Sequence, residues 1–161
     1  MYLIDANIVI GTWRTYPPTI FETLWEKFAA LIPGGDLYFH EEVKRELTAW
    51  SSVQAEWVKH HVPNNRIMHP TQIEVEKYKE ISAWAQFERE PKAKQKAIDN
   101  FLGAADSWLV ASAMANNATI VSNEVSARHS TANIKLPDVA NHFGVRYLDF
   151  LAFLEEKGIT V

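Results

Sequence analysis

The sequence contains no cysteine, so it can hold neither a disulfide framework nor a thiolate metal site, and nothing in it requires an oxidising compartment. No apolar run approaches the length of a membrane span, and the first residues lack the basic stretch, apolar core and cleavage site of a secretory leader. A soluble, cytoplasmic protein with no membrane contact is expected. Positive charge is also scarce: 16 Lys and Arg against 20 Asp and Glu leave a net charge of -4, with a pI near 5.9. That balance excludes a protein that coats nucleic acid through broad phosphate contacts, so any such contact must be local. Two basic groups could supply it, Arg89, Lys92, Lys94 and Lys96 in one and Arg128, His129 and Lys135 in the other, although solvated surface explains both equally well. Zinc-type spacing is missing among the six histidines, and His60 and His61 are neighbours expected to point apart on a helix. No repeat, low-complexity tract or linker divides the chain.

What is present suits one core. A length of 161 residues, 47% of them hydrophobic, predicts a single domain over 1–161. Tyr2, Leu3 and Ile4 form an apolar run with no polar residue between them, which suits a strand covered on both faces. Asp5 ends that run. Ligands of parallel sheets collect outside the carboxyl ends of the strands, so an acid there faces a site; a helix cap explains Asp5 equally well at this point. Further strands are predicted at 37–39, 118–122, 134–136 and 145–148, with a brief extended piece at 67–68. Helical patterns cover 6–13, 21–32, 40–47, 53–61, 71–87, 92–101, 102–115, 137–143 and 149–157. Thr71 and Glu74 have the spacing of a capping box, and the aromatic stripe of 21–32 suits a core or a subunit interface. Strands alternating with helices predict a three-layer α/β/α fold. Its central, mainly parallel sheet has four to five strands, with a helical insertion between the second and third.

Four acids recur at one kind of place. Asp5 and Glu124 follow strands, while Glu46 and Asp106 lie on helices next to strands. At about 100° per residue, Glu46 lies within roughly 60° of both Val43 and Trp50, beside the apolar stripe. Glu41 and Glu42 occupy a first turn, where the helix dipole alone explains acids. Asp106 is flanked on its helix by Leu102, Leu109, Val110 and Ala113, and an ionised carboxylate on such a face is costly unless paired or metal-bound. An N-terminal dipole position or a partner Arg or Lys would also account for it. Two carboxylates about 4 Å apart repel by roughly 4 kcal/mol at an effective dielectric near 20, so four in one pocket need cations. Hard oxygen donors without cysteine favour Mg²⁺ or Mn²⁺ over Zn²⁺. Such a cluster suits attack of water on a phosphodiester, because a bound ion lowers the pKa of water and neutralises charge developing on phosphate. A phosphatase using Asp5 as nucleophile would want a second acid close behind it, and Asn7 stands there instead.

These residues carry a family resemblance. Asp5-Ala6-Asn7 after the first strand, Val43-x-x-Glu46-Leu47 after the second, Ala105-Asp106 opening a small-residue helix, and Val121-Ser122-Asn123-Glu124 resemble the ordered acid motifs of the PIN domain. The match spans essentially the whole chain. It is similar in particular to the PIN-like group DUF4411, whose members keep Ala-Asp-Ser-Trp-Leu and a Pro-Asp-Val segment like Pro137-Asp138-Val139. The resemblance implies a PIN-like fold and a Mg²⁺- or Mn²⁺-dependent endoribonuclease like the VapC-type toxins of type II toxin-antitoxin systems. It implies an RNA substrate, a cognate antitoxin protein and a homodimer. Asp5, Glu46, Asp106 and Glu124 would be the catalytic acids and metal ligands, with Asn7 and Ser122 orienting them or water. The fourth position departs from the family's frequent Thr-x-Asp, since Ser122-Asn123-Glu124 stands there. A catalytically silent PIN-like module that binds RNA or protein is the rival expectation.

Overall fold

A computed structural model describes residues 1–160. Strand β1 (Tyr2–Ile4) leads through Asp5 into helix α1 (Ala6–Thr15), and α2 (Glu22–Gly34) returns the chain to β2 (Leu37–His40). There follow α3 (Glu41–Thr48), α4 (Val53–His61), the short β3 (Ile67–Met68), α5 (Gln72–Ala83), a π-helical turn at Trp84–Glu88, and α6 (Gln95–Leu102). Helix α7 (Ala105–Asn116), β4 (Thr119–Val121), α8 (Leu136–His142), β5 (Tyr147–Leu148) and α9 (Phe150–Glu156) complete it.

The five strands form one sheet in the order β3-β2-β1-β4-β5, and every pairing is parallel. Strand β1 is central because Tyr2, Leu3 and Ile4 are all buried and therefore need cover on both faces. Leu3 stands opposite Tyr38 on one side and Ile120 on the other. The chain first builds outward from β1 through β2 to β3, then crosses back to lay β4 on the opposite side of β1. The direction of building thus reverses between β1 and β4, and the crevice at the carboxyl ends of those two strands is where ligands of open α/β sheets settle.

One apolar cluster joins the sheet to the helices. The stripe of α2 lies in it: Leu24, Trp25, Phe28 and Ile32 are buried. Phe28 stacks on Trp57 of α4 with ring centres 5.8 Å apart. Helix α7 is covered almost all round, with Leu109, Val110 and Ala111 at 0% exposure, as its near-continuous apolar and small residues require. Its first turn holds Asp106 beside the carboxyl edge. The capping box of Thr71 and Glu74 is present at the start of α5.

Several elements differ from the sequence expectation. No strand forms at 134–136; the fifth strand of the sheet is Ile67–Met68. Pro137 sits in the first turn of α8, where its fixed φ starts a helix, and the Leu136 N–H is used by the Glu124 carboxylate at 2.9 Å. The predicted helix 71–87 ends at Ala83 and widens into the π turn. The start predicted at 102 lies in α6 instead, because Gly103 and Ala104 separate α6 from α7. Trp50 marks no buried stripe, being 82% exposed beyond the end of α3, so Val43 and Leu47 alone define the buried face.

Candidate active site

Asp5 follows the last residue of β1 and is held there by its backbone, whose N–H donates to the Val121 carbonyl at 3.0 Å. It occupies the N-cap position of α1, yet its side chain makes no capping bond. Capping therefore does not explain it. The carboxylate is 4% exposed and receives a 2.6 Å hydrogen bond from the Ser122 hydroxyl at the end of β4. That hydroxyl has one proton to give, so it accepts from its other neighbours, the Asn7 side-chain amide at 3.0 Å and the Glu124 N–H at 3.1 Å. Asn7 in turn accepts from the Asn123 N–H at 3.0 Å. Asn7 and Ser122 thereby stitch the start of α1 to the end of β4 across the switch point.

Asp106 and Glu124 line one cavity, and Glu46 lines a second that shares Ala104 with it. Burial, followed by repulsion from Asp5, Glu124 and Glu46, pushes the half-buried Asp106 up to about 7, with Lys135 opposing the rise. Asp5 is pushed up to about 6, first by burial and then, against the Ser122 hydrogen bond, by Glu124 and Glu46. Glu46 lies at the exposed rim, and partial desolvation followed by Glu124 raises it too. Asp5, Glu46 and Glu124 thus all act on Asp106, and Glu124 also acts on Asp5 and Glu46. Among the described residues, neither Asp106 nor Glu46 has an ion-pair partner. In α3 the contrast is local: Glu42 is paired with Arg45 at 2.7 Å and Glu41 with His69 at 2.5 Å.

Glu124 is the exception, being bonded to Lys135 Nζ at 3.3 Å and to the Leu136 N–H. Its backbone carbonyl accepts from the Tyr147 hydroxyl at 2.9 Å, and burial raises that phenol well above its ordinary range. Sequence reasoning placed Lys135 only in a basic group and gave Tyr147 no role. Lys135 lies 11 residues from Glu124 across an irregular loop, where neither helical nor strand period applies, so only folding joins them. Asp138 of the Pro-Asp-Val segment holds the same loop, accepting from the Ser126 hydroxyl and from the Ala127 N–H at 2.8 Å.

The donor set suits a hard divalent cation in two respects, oxygen chemistry and uncompensated negative charge. In a third respect it is open: among the described residues, no three Asp, Glu or His side chains are drawn together into a ready-made metal cage. His60 and His61 do not point apart as expected. Their rings meet edge to face with centres 4.7 Å apart, and His61 Nδ1 is engaged with the Trp57 carbonyl at 2.9 Å.

A five-stranded parallel sheet flanked by helices, with acids collected at its switch point, defines the class: this is a PIN-like α/β fold. The chain belongs to the family described as Domain of unknown function (DUF4411), which matches residues 2–161. It is similar in structure to VapBC-1 from nontypeable Haemophilus influenzae, at 14% identity over 93% of this chain and 98% of that one, with a TM-score of 0.56. That likeness is one of fold. A structure of VapBC2 from Rickettsia felis bound to a DNA fragment from their promoter also matches, at 14% identity over 92% of this chain and 98% of that one, with a TM-score of 0.48. No curated protein matches the chain. No helix among the described residues is long and apolar enough to cross a membrane.

Proposed function

We propose that residues 1–161 form a single PIN-like domain acting as an endoribonuclease that hydrolyses RNA phosphodiester bonds with Mg²⁺ or Mn²⁺. The observation that carries this reading is the pair Asp5 and Asp106, two acids desolvated at the switch point of the sheet and raised by burial, Asp106 also by the charge of Asp5, and Asp5 also by those of Glu124 and Glu46. A fold keeps such acids bare at a cost, and a bound cation offsets it. Asp5, Glu46, Asp106 and Glu124 would hold the metal, which would polarise a phosphoryl oxygen and acidify a bound water. The chain's own part is positioning. Ser122 fixes one rotamer of Asp5 through its only proton, Asn7 holds Ser122, and Tyr147 with the Leu136 N–H holds Glu124 over the pocket.

The motif resemblance to VapC-type toxins supports a toxin role, a homodimer, an antitoxin partner and a cytoplasmic setting. The test of the site is cleavage of a labelled RNA with Mn²⁺, with chelator, and in Asp5→Asn and Asp106→Asn. Metal-dependent cleavage that both substitutions abolish is expected; undiminished cleavage in both removes the assigned site. Growth arrest on expression, relieved by a partner encoded beside this chain, tests the toxin role.

One observation favours a silent binding module instead. Glu124 is already paired with Lys135. RNA binding indifferent to chelator, without cleavage at any Mn²⁺ concentration, would select that reading.

A further inference from the structure

The two basic groups that are separate in sequence, at 89–96 and 128–135, form one surface in the folded chain, and Arg89 is the joint. Its side chain is 5% exposed, and its guanidinium donates to the carbonyls of Pro91, of Arg128 at 3.4 Å and of Ser130 at 2.8 Å. The Lys94 N–H donates to the Thr131 carbonyl at 2.8 Å, so the segment entering α6 lies along the loop that follows β4. Ala93 is buried there between the exposed Lys92 and Lys94, and Lys96 and Arg128 are exposed as well. Lys94 stands at the N-cap position of α6 and Lys96 in its first turn, which holds no acid, an arrangement that the helix dipole opposes. Among the described residues none of Lys92, Lys94, Lys96 and Arg128 is paired with a carboxylate. The neighbouring acids Glu88, Glu90 and Asp99 leave them free. At its inner end the surface meets a cavity of about 170 Å³ lined by Asn100, Asp106, Glu124, Asn133 and Lys135.

We propose that this joined surface is the track for the sugar-phosphate backbone of the RNA strand, carrying phosphates outward from Lys135 at the cavity to Arg128 and the α6 lysines. The proposal rests on the ribonuclease reading above. It locates the local cationic contact that a chain of net charge -4 needs in order to hold a polyanion. Continuity with the cavity at Asp106 and Glu124 favours the substrate strand over an acidic protein segment.

The test uses the full chain carrying Asp106→Asn, so that RNA is not consumed, and a fluorescent single-stranded 12-mer RNA titrated at several NaCl concentrations. Adding Lys92→Ala, Lys94→Ala, Lys96→Ala and Arg128→Ala is expected to weaken binding at least about tenfold. The slope of log affinity against log salt should fall by about 0.7 for each phosphate contact removed. A control with Lys59→Ala and Lys79→Ala, exposed residues on α4 and α5, should leave both unchanged. Equal losses in the two sets, an unchanged slope, or no RNA binding in the parent would overturn the track. Retained RNA affinity with loss of an acidic protein partner would assign the surface to that partner and overturn it too. The underlying site stands or falls separately: wild-type cleavage whose KM ignores the four substitutions sinks the track alone, whereas salt-sensitive binding without any cleavage sinks the nuclease alone.

Discussion

The two ends of the same sheet treat carboxylates in opposite ways. At the amino end, Glu156 receives two hydrogen bonds from Arg146, at 2.9 and 2.5 Å, and another from the Tyr2 hydroxyl. Arg146 and Tyr2 hold it down to about 2. Asp36 there is pushed up by burial but held below its ordinary value by Lys157 at 2.6 Å, with the N-terminal amine 3.9 Å away. At the carboxyl end Asp5 and Asp106 rise to about 6 and 7, and one lysine, paired with Glu124, answers four acids. The ends differ in their supply of cations, not in being acidic. Burial alone does not make the difference either. Glu74 is 0% exposed, yet it accepts from Ser112 at 2.7 Å, Asn116 at 3.1 Å and the Thr71 N–H at 3.2 Å, with His40 Nε2 3.7 Å away. Glu74 is buried with partners and holds helices together, whereas Asp106 has no ion-pair partner among the described residues.

The contrast is broken or sharpened most strongly by activity. Asp106→Asn is expected to lower Mn²⁺-dependent RNA cleavage by at least about 100-fold, whereas Glu156→Gln at the other end should leave it within about twofold. Comparable losses in both would erase the distinction between the ends.

Stability against pH comes next, because the raised acids bind more protons in the folded chain than in the unfolded one between about pH 4 and 7. Stability of the metal-free protein therefore falls as pH rises through that window, by on the order of 2 kcal/mol, or about 5 °C in Tm. Glu156 acts with the opposite sign: its contribution is present above about pH 4.5 and is lost as pH falls towards 2. Melting in EDTA from pH 8 to pH 5 should show Tm rising, and Asp106→Asn should flatten the rise. A flat wild-type curve would mean that the carboxyl end is not short of cations.

Ser122→Ala is a smaller perturbation. It frees the Asp5 rotamer and strips partners from Asn7 and the Glu124 N–H, costing about 1–2 kcal/mol of stability and, in a cleavage assay, about tenfold in kcat with KM little changed. A pure KM effect would contradict its positioning role. The smallest effect belongs to Arg146→Ala, which removes an exposed pair that solvent screens; a loss in denaturant melts as large as that of Ser122→Ala would show that the amino end is more than a surface network.

Legibility in the sequence follows the same physics. The runs at 2–4 and 37–39 and the segment around Ile120 announced buried strands because both faces must be covered, and Asp5 and Asp106 stood out as charges against apolar surroundings. The edge strand Ile67–Met68 is two residues long and half-buried, so it reads only as a brief extended piece, and the apolar residues at 134–136 take its place among the expected strands of the sheet. The break at Gly103 was hidden by continuous apolar character on both sides. The Lys135–Glu124 pair and the Arg89 joint depend on where an irregular loop returns, which composition does not encode.

The placement of β4 also has a consequence for biosynthesis. Asp5 and Ser122 are 117 residues apart, and β1 lacks its second neighbour until Thr119–Val121 has left the ribosome. Until then a nascent chain carries its first acid without the crevice that acid faces. Whatever chemistry the pocket performs is withheld from the translating machinery until that strand has emerged.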